Sequence, residues 1–438
     1  MATTYLHRTP SGAGDLRKWT FATWIKRGVL SVEEAIITWF GPGSEYTQLR
    51  WQGADTLNFA QHDGSGYTGR LNTNAIFKDP GAWYHLVCVW DTDNAAAGDR
   101  MRLYINGVEE TSFSTDTNPA LNLDSYANST NQLTIGSKGA ANYFTGSMAH
   151  THFCDGQAYA ASDFGETDST SGIWVPNNSP SVTYGTNGFF LKYASGAEGT
   201  DSSGNGNDMT VSGTMTQTKD TPQDNFCTLN PLARSFGTTP TLSNGNTTTT
   251  TADSWVASTV PIHSGKWYWE VKVPSAGVEC VTGVLQANAS TYEGNNWIGL
   301  GVAGVYAFAA ISGNKITDGT STSYDSAISQ NDIMMFAMDA EAGSLYVGVN
   351  GTWLQSSNPV TSTSPMTSSM DTDALWVPFT TISSTGGTCI NNFNFGNGYF
   401  GTTLISSPEA DDAGLGAFAY DVPAGYYSLC TNNLGDQS

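Results

Sequence analysis

The chain has 438 residues, of which 13% are charged and 12% aromatic, with 48 glycines. This is too much apolar surface for a disordered chain, and it suits an all-β protein of half-buried strands and polar turns. The 17 basic and 39 acidic residues leave a net charge of −22, which excludes nucleic acid as a partner and disfavours an anionic membrane surface.

At roughly 150 residues per domain the length predicts two or three domains. The opening Met1-Ala-Thr-Thr-Tyr-Leu-His-Arg8 has no apolar signal region. The apolar runs at 305–311 and 333–338 are far short of a membrane span, so no membrane insertion is expected.

The first strand pattern is Arg17–Arg27, where Trp19 and Phe21 mark a period of two. Gly81–Asp91 is a second, more fully apolar strand. Arg100–Glu109 reads as a hairpin turning at Asn106-Gly107, because both residues tolerate the positive φ of a type I′ turn. Gly146–Asp155 closes this first domain, expected at 1–165. The stretch 166–262 is rich in Gly, Ser, Thr, Asn and Pro and reads as an ordered connector with strand islands. Its five consecutive threonines, Thr247 to Thr251, suit a solvated edge or a subunit contact.

The second domain is expected at 263–438. In His263–Val273, Trp267, Trp269, Val271 and Val273 alternate with Tyr268, Glu270 and Lys272. Asn331–Asp339 is a buried strand, and Gly343–Trp353 a hairpin turning at Asn350-Gly351. No helical period runs over ten residues or more. Short strands punctuated by turns mean sandwiches. The six cysteines, Cys88, Cys154, Cys227, Cys280, Cys389 and Cys430, form no close pair. They read as buried thiols of a chain folded in a reducing cytosol.

Motifs sharpen this fold. Gly265-Lys-Trp-Tyr-Trp-Glu270, Trp297-Ile-Gly-Leu-Gly301, the run from Asp339 to Trp353 and Asn394-Phe-Gly396 resemble a SPRY domain. Trp19-Thr-Phe-Ala-Thr-Trp-Ile25, Trp83-Tyr-His-Leu-Val87, Arg102-Leu-Tyr-Ile-Asn-Gly107 and Asp155-Gly-Gln157 resemble concanavalin A-like, laminin-G-type lectin domains. The fold implied is all-β: two concanavalin A-like β-sandwich (jelly-roll) domains joined by the connector. Tyr5-Leu-His-Arg-Thr-Pro-Ser-Gly-Ala-Gly14, Asp201-Ser-Ser-Gly-Asn-Gly-Asn-Asp208, Asp220-Thr-Pro222, Thr228-Leu-Asn-Pro231 and Pro423–Leu434 resemble structural proteins of tailed bacteriophages, especially of marine and cyanobacterial hosts. That resemblance implies a non-enzymatic virion protein assembled in the bacterial cytoplasm: a tail fibre, receptor-binding protein or capsid appendage. Its partners would be other virion proteins and a host cell-surface glycan. A trimer or other homo-oligomer would suit a fibre, although no heptad supports it.

Catalytic signatures are missing. The Glu-x-Asp-x-x-Glu pattern of jelly-roll glycosidases does not occur, and Glu409-Ala-Asp-Asp412 lacks the last acid. There is no His-Glu-x-x-His, no Gly-x-Ser-x-Gly and no phosphate-binding Gly-Lys-Ser/Thr. His150, His152 and Cys154 share a strand face with zinc-type donors but lack a local fourth ligand, so a packing role is favoured. Calcium is the one cofactor the residues allow, with candidate ligands Asp91, Asp93 and Asp99 and a second cluster at Asp201, Asn205, Asn207 and Asp208. Sugars stack their apolar faces on rings and hydrogen-bond through Asn, Asp and Gln. The candidate glycan contacts are therefore Tyr46, Trp51, His62, Asp63, Tyr67, Tyr292, Asn295 and Asn296. A purely structural cement, vertex or baseplate role is the alternative, and a glycan-degrading enzyme the weaker one.

Overall fold

The computed structural model describes residues 3–169, 171–234, 239–251, 254–273, 279–287, 301–382 and 388–435. Strands dominate them; the one α-helix among the described residues, Thr431–Leu434, has 4 residues. No helix among them is long and apolar enough to cross a membrane. The chain divides into two compact units, 1–217 and 218–438, and each is a sandwich of two sheets.

The larger sheet of the first unit runs in the order Phe113–Thr117, Tyr67–Thr73, Leu57–His62, Tyr46–Trp51, Glu34–Phe40, Leu133–Ile135, Tyr5–Arg8, Thr210–Ser212. The smaller runs Phe189–Leu191, Gly146–Asp155, Lys18–Arg27, Trp83–Asp91, Met101–Ile105, Val108–Glu109. Alternation sends Trp39, Leu49, Trp51 and Phe59 of the first sheet inward against Trp19, Phe21, Leu86 and Trp90 of the second, forming one core. Trp19 lies 4.9 Å from Trp39 and is stacked on Trp90 at 6.2 Å between centroids. Its indole N–H is satisfied by the Ser125 hydroxyl at 2.8 Å. The hairpin turns at Asn106 (φ 49°) and Gly107 (φ 85°), as the type I′ reading requires. The outer face of the smaller sheet is covered by Phe164, Trp174 and Tyr184, which pack on Ala22, Val87, Val89 and Cys154.

The second unit has a seven-stranded sheet in the order Leu229–Arg234, Trp255–Ser258, Trp376–Ile382, Cys280–Gln286, Val305–Ala309, Asn314–Thr317, Thr320–Ser323. The eight-stranded sheet opposite includes, side by side, Thr241–Ser243, Thr248–Thr251, Cys389–Asn394, Lys266–Lys272, Ile333–Asp339, Ser344–Val349 and Thr352–Trp353. Trp267, Trp269, Val271 and Val273 enter the core between the sheets, as their alternation predicts. Tyr268 and Glu270 point the other way but are also buried. Phe418 and Tyr426 of the C-terminal segment cover that outer face.

Three expectations change here. The stretch 166–262 is not a connector between domains, because its strands complete sheets in both units: Phe189–Leu191 and Thr210–Ser212 in the first, Thr248–Thr251 and Trp255–Ser258 in the second. The threonine run is an interior strand, not a solvated edge: Thr249 and Thr251 are fully buried and the strand pairs with Asn392–Cys389. Threonine's branched β-carbon suits a pleated surface, and polar composition hid that preference. The cysteines also divide. Cys280 and Cys389 form a disulfide between the two sheets of the second unit, spanning 109 residues of sequence. Cys88, Cys154, Cys227 and Cys430 are free and buried. Wide sequence separation concealed the pair, since only the fold brings the two strand starts to 5.7 Å between Cα atoms.

Candidate functional site

The site is built on the outer face of the larger sheet of the first unit. In Tyr46-Thr-Gln-Leu-Arg-Trp51 the inward set contains Leu49 and Trp51, so Tyr46, Gln48 and Arg50 face out. Trp51, proposed above as a glycan contact, is therefore unavailable: it is fully buried, with the Arg27 guanidinium 4.6 Å from its ring centroid. His62 ends the neighbouring strand and stacks on Tyr46 at 5.5 Å with an interplanar angle of 8°.

Tyr67 reaches the same face through an irregularity. Simple alternation would place Tyr67 with Leu71, which is in the core. The pairing jumps from Gln61↔Gly69 to His62↔Tyr67, leaving Thr68 as an extra residue. A bulge of this kind re-aims the side chain beside it. Tyr67 consequently meets His62 edge-on at 5.2 Å and keeps 37% of its surface exposed. Asp63 caps the turn between the two strands, its Oδ1 accepting the N–H groups of Ser65 and Gly66 at 2.9 Å each. It is exposed at the hairpin tip, with its carboxylate committed first to the turn.

Cations frame these rings. Lys138 Nζ lies 3.9 Å from the Tyr46 centroid, and the Arg70 guanidinium 4.5 Å from that of Tyr67. Arg50 donates to the Tyr67 hydroxyl at 3.3 Å, to Asn58 at 3.2 Å and to the Glu33 carboxylate at 2.7 Å. Glu33 is also bound by Asn142 at 2.7 Å. Burial raises the Tyr46 phenol to about 12. Burial acts the same way on Tyr67, but the hydrogen bond from Tyr46 and the charges of Arg50 and Arg70 outweigh it and hold that phenol below its usual value. Burial, with the Arg50 charge next, lowers the Lys138 ammonium.

The structure thus brings together Tyr46, His62, Asp63 and Tyr67 of the expected contacts. Tyr292, Asn295 and Asn296 lie outside the described residues. Sequence reading missed Glu33, Arg50, Arg70 and Lys138. Arg50 was within reach of the alternation Tyr46–Gln48–Arg50; Arg70 and Lys138 carry no local signal, because the bulge at Thr68 sets the face that Arg70 shares with Tyr67 and Lys138 comes from a loop far along the chain from Tyr46.

The calcium expectation does not fit the residues present. Asp91 faces the Lys18 ammonium at 3.5 Å and Asp93 the Arg17 guanidinium at 3.4 Å. Asp99 ends a separate short 3-10 turn, Ala97–Asp99. In the second cluster both Asp201 oxygens are occupied by donors: Phe190 and Ser203 N–H at 2.9 and 2.8 Å, Ser203 O–H and Asn207 N–H at 2.9 Å each. Asn205 and Asn207 direct their amide N–H groups to the carbonyls of residues 185–188. Among the described residues no group of three or more His, Cys, Asp or Glu is placed to hold a metal. His150, His152 and Cys154 do not form one either. His150 turns to φ 47° where the pairing slips, and His152 stacks on Phe190 at 4.0 Å and bonds Tyr184 at 2.9 Å. Burial drives the His152 imidazole well below its ordinary value, so it is neutral.

Comparison with known proteins places this face in context. Residues 3–161 match a laminin G family model described as the concanavalin A-like lectin/glucanases superfamily. No curated protein matches the chain. Among solved structures, the SPRY domain of human HERC1 is 17% identical over 38% of this chain and 96% of its own, with a TM-score of 0.31. Stonustoxin is 19% identical over 38% of this chain and 27% of its own (TM-score 0.28). The native heptameric SAP-like pentraxin from Limulus polyphemus is 16% identical over 36% and 73% (TM-score 0.27).

Proposed function

We propose that the chain is a non-enzymatic recognition protein of a tailed-phage virion, and that the first unit binds a glycan of the host cell surface. The carrying observation is the pair His62 and Tyr67, backed by the buried ring of Tyr46 and a polar frame, set on a concanavalin A-like sandwich. Aromatic rings beside fixed hydrogen-bonding groups are what a pyranose requires. The virion assignment is supported by the opening motif, the motifs within 201–231 and the C-terminal motif, which resemble phage structural proteins, and other virion proteins are the partners it implies. A role without bond cleavage is supported by the two acids of the site: Glu33 is held by Arg50 and Asn142, and Asp63 accepts the turn N–H groups of Ser65 and Gly66, whereas a glycosidase needs two acids free to act on the sugar bond.

Purified protein incubated with envelope polysaccharides of candidate hosts tests the reading. Retention of polysaccharide at unchanged polymer length is expected, and labelling of intact phage particles by an antibody to the chain. Absence of retention, or shortening of the polymer, would overturn the glycan-binding or the non-enzymatic part respectively; unlabelled particles would overturn the virion part.

A further inference from the structure

The chain has 17 basic residues against 39 acidic ones, yet three of its cations converge on one aromatic group. Arg50 is neutralised by Glu33 at 2.7 Å. Lys138 and Arg70 make no close ion pair among the described residues, and the one carboxylate charge acting on Lys138 from a distance is that of Glu33, already paired with Arg50. The buried Nε of Arg70 has no hydrogen-bond partner there either. Both cations are half-buried, where an unpaired charge is more costly than in open water. Lys138 lies over the electron-rich face of Tyr46 and Arg70 over that of Tyr67. Against the effect of burial, the hydrogen bond from Tyr46 and then the Arg50 and Arg70 charges also hold the Tyr67 phenol below its usual value.

We infer that this site takes an acidic saccharide, with its pyranose lying against Tyr67 and His62 and its carboxylate facing the cations Lys138 and Arg70 that frame the rings. This deepens, and rests on, the glycan-binding reading above. An anion satisfies the two cations that the fold leaves unmatched, and the hydroxyls of the sugar meet the Tyr67 hydroxyl and the rim of polar side chains. A neutral sugar would leave both charges as they are.

The test measures binding of three acid-bearing probes and their uncharged counterparts: trigalacturonate and its methyl ester, sialyllactose and lactose, and an oligosaccharide ending in 3-deoxy-octulosonate and its carboxyl-reduced form. Binding of at least one acidic probe is expected, with at least tenfold preference over its counterpart and weakening at high salt, as a charge-assisted hydrogen bond implies. Lys138→Gln and Arg70→Gln should each weaken that binding roughly tenfold, with unchanged thermal midpoints to show that the fold is intact. Equal binding of acidic and neutral members overturns the acidic assignment and leaves glycan binding standing. Preference for an acidic probe that survives both substitutions overturns the site. No binding to any of the six probes overturns the inference, and the envelope-polysaccharide experiment then decides the glycan reading separately.

Discussion

The Glu270 carboxylate accepts the backbone N–H of Tyr420 at 3.0 Å, across 150 residues of sequence. The same group accepts from Ala419 N–H at 2.9 Å, the Tyr268 hydroxyl at 3.0 Å and the Asn394 amide at 3.2 Å. A fully buried acid therefore pins the C-terminal segment against the outer face of the eight-stranded sheet of the second unit.

Burial, partly offset by those four donors, raises the Glu270 carboxyl to about 7. In the first unit, burial, partly offset by the Thr145 N–H, raises that of Glu34 to about 7 as well. A carboxyl raised on folding favours the native state fully below its unfolded value and loses that contribution as pH rises through the folded one. Each group should thus make its unit more stable by roughly 3 kcal/mol as pH falls from about 8 to about 4.5. Denaturant titrations across that range check it. Glu270→Gln should flatten the slope of the second unit only, and Glu34→Gln that of the first. A slope unchanged by both substitutions would refute the assignment.

The Cys280–Cys389 bond closes 109 residues of chain. In the chain-entropy description such a loop is worth about 4–5 kcal/mol, an upper figure for this bond. Reductant, or Cys280→Ser with Cys389→Ser, should lower the unfolding midpoint of the second unit and leave that of the first in place. Thiol titration of denatured, unreduced protein should count four free cysteines, matching Cys88, Cys154, Cys227 and Cys430.

Trp51 and Tyr67 stand on opposite faces of one sheet and should respond oppositely. Trp51→Ala empties a fully buried site and is expected to cost about 3–5 kcal/mol. Tyr67→Ala, at an exposed position, should cost about 1 kcal/mol or less while abolishing glycan retention. Calorimetry and a binding assay on the same two variants separate the roles.

Gly107 tests the hairpin. At φ 85° a side chain is already strained there, and an added Cβ would come within 2.8 Å of the Trp174 ring. Gly107→Ala should lower stability by about 1–3 kcal/mol, whereas Gly98→Ala, whose Cβ would meet nothing within 4 Å, should stay within about 0.5 kcal/mol.

Strand positions were readable because alternation is a local property. Lys18–Arg27, Trp83–Asp91 and Lys266–Lys272 fall where Trp19, Leu86 and Trp267 repeat at period two. What lay beyond reach depended on partners distant in sequence. Glu270 alternates as a solvent-facing residue and is buried only because residues 418–426 fold over it. Tyr67 owes its orientation to one surplus residue, Thr68, which leaves no compositional mark. Trp51 looked like a ring for sugar stacking because loop-like neighbours surround it in sequence; its parity with Leu49 was the signal that placed it inside. Lys138 and Arg70 join the site through pairing order alone.

Each unit also begins and ends in one place. Tyr5 pairs with Ser212, and Thr4 donates to the Thr214 carbonyl at 3.0 Å. Phe226 bridges to Cys430, and Cys227 N–H donates to the Leu429 carbonyl at 2.8 Å. Entry and exit so close together make either sandwich a cassette: it can be excised, or grafted into a surface turn of a foreign scaffold, without prying apart a single ladder of its own.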